Sequence, residues 1–228
     1  MEEKKFVKFK QDELGIKEYI KHSIGKGRIS DVAIEYTPVG EKIVISTNRP
    51  GLVIGKRGEK IEELTGVLRK RFNLDNPHID IKEIFNEALD AQLVADSIAI
   101  QLERKGSLKF KIIAYKTLES IMKAGALGTE LALSGKLPSE RAKTWRFTQG
   151  YLKKTGDPAK VVNRAMAQAR TQMGVIGIKV SILPPDAHIH DQIKINDFVL
   201  QELQKNKTKE FVKESPKKKK GRKKEELK

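Results

Sequence analysis

The sequence contains no cysteine. That excludes disulfide frameworks, thiolate zinc sites, iron–sulfur clusters and cysteine nucleophiles, and it suits a reducing compartment. No stretch approaches the roughly 18 uninterrupted apolar residues of a membrane span. The opening Met1-Glu2-Glu3-Lys4-Lys5-Phe6 lacks the apolar core of a secretory leader, so none is expected. No GxSxG, HExxH or EF-hand spacing occurs. Gly51 to Arg57 fails as a Walker loop, with three residues between its glycines and no hydroxyl residue after Lys56. Glu62-Glu63 and Glu225-Glu226 read as solvated faces, and no carboxylates assemble into an acid–base pair. His188 and His190 share a strand face with only Asp186 and Asp191 near them, too poor a set for a metal. His22 and His78 stand alone. The expectation is therefore a protein without catalytic residues, metal, cofactor or small-molecule substrate.

Negative charge is also short. Lys and Arg number 46 against 30 Asp and Glu, a formal charge of +16 in 228 residues. The excess is uneven. Residues 205–228 hold twelve basic and four acidic side chains, half of the whole excess in a short, almost apolar-free segment. Such a segment cannot bury enough surface to offset the entropy of ordering it. It reads as a flexible basic tail, largely disordered from about 205. It serves either to solubilise the chain or as an arm that binds polyphosphate by releasing condensed counterions. No amphipathic helix or lipidation motif accompanies it, so no membrane partner is expected.

What is present is enough apolar residue, 38%, for real cores. Asp12 to Lys26 predicts a helix with Leu14, Ile20 and Ile24 inward, ended by Gly25 and Gly27. Val32, Ile34 and Tyr36 alternate as in a strand, a turn follows at Thr37-Pro38-Val39-Gly40, and Ile43-Val44-Ile45 is a second strand. Leu52-Val53-Ile54 forms a short apolar piece. Ile61, Leu64, Leu68 and Phe72 define one face of a helix. Ile79 and Ile81 mark a third strand. A helix from Glu87 to Lys105 turns Ala91, Val94, Ala95, Ile98 and Leu102 inward, and another begins near Ser107 with Phe110, Ile113, Leu118 and Ile121 inward. The apolar period then changes from 3.6 to 2. Leu131/Leu133, Trp145/Phe147, Ala165/Ala167/Ala169 and Ile176/Ile178/Val180/Ile182 predict four strands. The fold class is α+β. An α-β-β-α-α-β unit spans 1–85, a linking helix 86–106, a second α+β unit with a four-stranded sheet on helices 107–190, and a polar, basic tail 191–228. Each unit is near the small end for an independent core, so the two are expected to pack together.

Three Gly-x-x-Gly pairs occur, at 55/58, 125/128 and 174/177. The last two enclose Ala-Leu and Val-Ile, which suit a helix cap and a strand turn. Only the first encloses two cations, Lys56 and Arg57, and leads into a helix. Glycines without Cβ let backbone N–H groups approach a sugar-phosphate chain closely. The following helix offers its positive end to phosphate, and Lys60 adds a further cation. Arg49-Pro50-Gly51-Leu52-Val53-Ile54-Gly55-Lys56-Arg57-Gly58-Glu59-Lys60-Ile61, in its α-β-β-α-α-β setting, resembles a KH domain of type II topology.

The likeness extends further. Met122 to Gly128 (MKAGALG), Leu133-Ser134-Gly135-Lys136-Leu137 and Gly174 to Val180 (GVIGIKV) resemble the second domain of the universal small-subunit ribosomal protein S-three family. Gly156-Asp157-Pro158 and the short opening look closer to its archaeal and eukaryotic branch. The resemblance spans about residues 6–190 and implies binding to small-subunit rRNA in the subunit head. It implies a position where messenger RNA enters the channel, neighbouring ribosomal proteins as partners, and a cytoplasmic location in the ribosome. In bacterial relatives a basic cluster on the first helix of the second domain lies along the messenger and aids its unwinding. The equivalent stretch here is Lys109 to Lys116 (KFKIIAYK). Ile112 and Tyr115 stand where basic residues are favoured, leaving Lys109, Lys111 and Lys116 to steer a strand.

Arg141 to Phe147 (RAKTWRF) interleaves base and ring. Trp145 and Phe147 read as core residues, with stacking of Trp145 on a nucleobase as the alternative. Arg141, Lys143, Arg146, Lys153, Lys154 and Lys136 are candidates for phosphate contacts. The expected RNA-binding set is thus Gly55, Lys56, Arg57, Gly58, Lys60, Lys109, Lys111, Lys116, Lys136, Arg141, Lys143, Arg146, Lys153 and Lys154. Two other classes of function stay open on the residues: a free-standing KH regulator of single-stranded RNA, and a nucleic-acid enzyme whose metal or general base is not visible.

Overall fold

The structure, a computed structural model, describes residues 2–187 except 39, 73, 75 and 140. The two histidines at 188 and 190 and the basic tail lie outside the described residues.

The chain opens with helix α1 (Glu2–Ile24), ten residues earlier than its periodicity predicts. The N-terminal half has no buried stripe to betray it: Phe6, Val7 and Leu14 are all exposed, Leu14 at 57%. Its helical state is favoured by Glu2 and Glu3 at the positive end and by Lys21 and His22 at the negative end. The buried side chains are Ile16, Ile20 and Ile24, so Ile16 takes the core place expected of Leu14. Strands β1 (Ile29–Thr37) and β2 (Gly40–Thr47) form an antiparallel hairpin that sets Val32 opposite Ile45. A short helix α2 (Pro50–Ile54) and helix α3 (Glu59–Phe72) carry the chain across to β3 (His78–Glu83), which pairs parallel to β2 with Ile43 beside Ile79. A parallel pair requires such a crossover, because its strands cannot be joined by a tight turn. The three-stranded sheet has the order β1-β2-β3. One core unites Ile16, Ile20, Val32, Ile43, Ile45 and Leu68.

The single helix expected over 87–105 is broken. A 3-10 turn occupies Glu87–Leu89, Asp90 is extended, and helix α4 (Ala91–Lys105) starts after it. The break is chemical. The Asp90 carboxylate accepts hydrogen bonds from the Gln92 and Leu93 amides, which have no partner inside the helix. Gly106 ends α4 at φ 80°. After a 3-10 turn at Ser107–Lys109 comes α5 (Phe110–Lys123) with Phe110, Ile113, Leu118 and Ile121 buried, as its period predicts. Strands β4 (Gly128–Gly135), β5 (Lys143–Gly150), β6 (Asn163–Thr171) and β7 (Gly174–Leu183) form an all-antiparallel sheet in the order β5-β4-β7-β6. Helices α4 and α5 cover one face. Their apolar sides meet Leu131, Leu133, Ile176, Ile178, Val180 and Ile182 in a second core. The helix read as a linker therefore supplies Ala91, Ala95, Ile98, Ala99 and Leu102 to that core.

The two layers are joined by polar contacts. The Gly27 amide donates to Asp96 Oδ2 at 2.9 Å, and the Ser30 hydroxyl donates to the Asp90 carboxylate. Among the described residues no helix is long and apolar enough to cross a membrane.

Candidate nucleic-acid interface

The bend between α2 and α3 is the most constrained backbone in the first unit. Gly55 has φ 75° and ψ −172°, Arg57 φ 55° and ψ 21°, and Gly58 φ 85°. Arg57 is the only non-glycine residue at positive φ among the described residues. The glycines differ in their surroundings. A Cβ on Gly55 would lie 2.8 Å from Lys60 Cγ, whereas one on Gly58 would meet nothing within 4 Å. The aliphatic part of Lys60 thus packs on Gly55, while Gly58 faces open space. Pro50 starts α2, where its missing N–H costs nothing, and the Gly55 amide closes that helix on Gly51 O at 3.0 Å. Val53 is wholly buried and pins α2 to the core. Lys56 and Arg57 are left on an exposed, anchored turn.

The first turn of α3 carries Glu59 and Glu62, which answer the positive end of the helix themselves. Positive charge at this bend comes from Lys56, Arg57 and Lys60 more than from the helix dipole.

The remaining predicted residues fall into separate groups. Lys109 and Lys111 lie at the start of α5. Lys111 Nζ sits 4.8 Å from the Trp145 ring centroid, a cation–π contact. Lys116 is five residues further on, about 140° around the helix, and faces another side. Register sets Lys143 opposite Gly135, so Lys136, Arg141 and Lys143 gather at one end of the β4–β5 hairpin. Lys153 and Lys154 follow Gly150 at the far end, about 24 Å away along β5. Lys154 already pairs with Glu130 at 2.7 Å. Arg146 is exposed, and alternation turns it to the opposite face from Trp145.

Trp145 departs from its expected core place. Phe147 is buried at 7%, but Trp145 keeps 37% of its surface exposed while packing on Phe110 at 5.6 Å. Strand β5 is an edge of the sheet, with a neighbouring strand on one side only. The ring is half core and half surface, beside Lys111, while exposed Tyr115 packs on Phe147.

Two family models match the chain in succession. The model of the KH domain covers residues 15–88, and that of the ribosomal protein S3 C-terminal domain covers 98–182. The sequence is 43% identical over 198 residues to the small ribosomal subunit protein uS3 of Methanocaldococcus jannaschii, covering 86% of this chain and 94% of that one. This chain belongs to the uS3 family. The Archaeoglobus fulgidus uS3 is 39% identical over 202 residues, covering 88% of this chain and 87% of its own. The Haloarcula marismortui uS3 is 36% identical over 199 residues, covering 87% of this chain and 65% of the relative. The archaeal side of the family, read from Gly156-Asp157-Pro158, is where these relatives lie. The uS3 family is structural rather than enzymatic, and among the described residues no group of three His, Cys, Asp or Glu side chains is placed to hold a metal.

One basic gathering of this uS3 chain was not among the predicted residues, apart from Lys116. Around Lys116 the fold assembles Lys26, Arg28, Arg49, Arg104 and Lys105 on one cleft. These residues come from four distant stretches and share no motif, so no local signal singled them out.

Proposed function

We propose that this protein is a structural constituent of the small ribosomal subunit that grips rRNA in the subunit head, close to where messenger RNA enters the channel. Its partners on this reading are small-subunit rRNA, mRNA at that opening and neighbouring ribosomal proteins, and its place is the cytoplasmic ribosome. The observation that carries the reading is the anchored cationic bend at Gly55–Gly58, inside a chain matched along both units by uS3 relatives. On this reading residues 1–85 form the KH unit, helix α4 within 86–106 joins 107–190 in the ribosomal unit, and 191–228 is the tail. Gly55 and Gly58 allow close approach of a sugar-phosphate chain, and Lys56, Arg57 and Lys60 supply the charge. Lys109, Lys111, Lys116, Lys136, Arg141, Lys143, Arg146, Lys153 and Lys154 add phosphate contacts that orient the protein without reading sequence. Ile112 is 68% and Tyr115 62% exposed on the stretch where bacterial relatives favour cations, which leaves Lys109, Lys111 and Lys116 to steer a strand there.

Replacing Lys56→Asp together with Arg57→Asp tests the grip. Both side chains are exposed, so thermal unfolding is expected to stay near wild type. Binding of a small-subunit rRNA transcript is expected to weaken, with the salt slope falling by about one for each lysine or arginine that no longer meets a phosphate. Unchanged affinity and slope would remove the bend from the interface. Tight binding to short single-stranded oligomers, with no retention on salt-washed subunits, would favour a free-standing regulator instead.

A further inference from the structure

A cleft of about 1000 Å³ runs between the turn before β1, the start of α2 and the outer sides of α4 and α5. Its cations are Lys26, Arg28, Arg49, Arg104, Lys105 and Lys116, and only two carboxylates, Glu87 and Glu103, share the lining. Some of this charge is already used. Arg28 donates to Ile24 O at 2.9 Å, ending α1, and Lys26 lies 3.6 Å from Glu103. Glu103 also accepts the Arg170 amide at 2.9 Å, which ties it to β6. Arg49, Arg104, Lys105 and Lys116 form no ion pair among the described residues. Four unpaired cations therefore face one space from α2, α4 and α5.

We propose that this cleft holds a backbone segment of RNA. Its phosphates lie against Arg49, Arg104, Lys105 and Lys116. The inference rests on the reading that the protein grips rRNA, and it adds a second site to that grip. Contiguity supports RNA over an acidic peptide. Arg49 begins α2 and Gly55 ends it, and five helical residues span only about 8 Å. A strand held at the Gly55–Gly58 bend reaches the cleft within a few nucleotides. The cations come from separate elements, which suits a chain of phosphates better than one small anion.

The test uses the full chain in two arms. In the first, Arg104→Gln with Lys105→Gln is titrated against a small-subunit rRNA transcript at rising salt, beside Lys56→Asp with Arg57→Asp. The cleft pair is expected to lower the salt slope by about 1.4 to 1.8, the value for two neutralised phosphates. A wild-type slope for the cleft pair overturns the proposal, and weakened binding by the bend pair alongside it leaves the bend reading standing. Weakened binding by the cleft pair while the bend pair binds normally upholds the cleft and removes the bend. In the second arm, a photo-crosslinking residue replaces exposed Arg104 in purified small subunits, so the outcome does not depend on the stability of the double variant. Crosslinks to rRNA are expected. Crosslinks confined to protein, or none, overturn the proposal.

Discussion

Arg57 holds a left-handed backbone that costs an L-residue with a Cβ about 1 to 2 kcal/mol. The bend keeps that strain between two glycines, which suggests that the cationic side chain is worth more there than a third glycine. The two glycines should respond differently to a methyl group. Gly55 at φ 75°, ψ −172° lies in a region essentially reserved for glycine, and its Cβ would press on Lys60. Gly55→Ala is expected to cost about 2 kcal/mol in urea titrations. Gly58→Ala has open space and only its dihedral to answer for, about 1 kcal/mol. Its larger effect is expected on affinity for an rRNA transcript, because the added methyl stands where the sugar-phosphate chain would approach. Equal stability loss with unchanged affinity at Gly58 would show that nothing comes close there. The Gly-Lys-Arg-Gly pattern was legible as a loop because glycine pairs with interior cations have a local meaning. The exposure of Trp145 was not, since alternation assigns a face and not the distance to which a neighbouring helix covers it.

The elements most in need of tertiary information are those at the junction. Asp90 sits inside a run whose period reads as one helix from Glu87, and only its geometry shows that it starts a new one. Asp90→Ala removes the cap on α4 and the partner of Ser30, with an expected loss of about 1 to 2 kcal/mol in the urea midpoint analysis. Nearly two turns further on, burial pushes the Asp96 carboxyl above its ordinary range, against the opposing donations from the Gly27 amide and the Gln92 side chain. A raised folded-state value means that the folded protein binds this proton more tightly than the unfolded chain does. The contribution is fully present below the unfolded value and is lost as pH rises through the folded one. Asp96→Asn keeps an acceptor for Gly27 and does not titrate. The stability of wild type relative to this variant is therefore expected to fall as pH climbs from the ordinary carboxylate range toward neutrality. A constant difference across urea titrations at several pH values would mean that burial does not govern this carboxyl.

At the scale of the whole molecule, two cores of moderate size share one chain, and half of the charge excess lies beyond both. Removing residues 205–228 is expected to lower the salt slope of rRNA binding by up to about 0.9 for each phosphate that the segment neutralises. An unchanged slope would make the segment a spacer. The sequence by itself determined the order of elements, the two sheets, most inward-facing residues and the cationic bend, because each follows from period, glycine placement or a short motif along the chain. Only the tertiary structure decided that α1 runs back to Glu2 and that α4 begins at Ala91, capped by Asp90. It also gathered Arg49, Arg104 and Lys105 around one cleft. The reason is physical: periodicity records which side of an element is apolar, whereas charges brought together across separate elements leave no trace in the order of residues until the chain has packed.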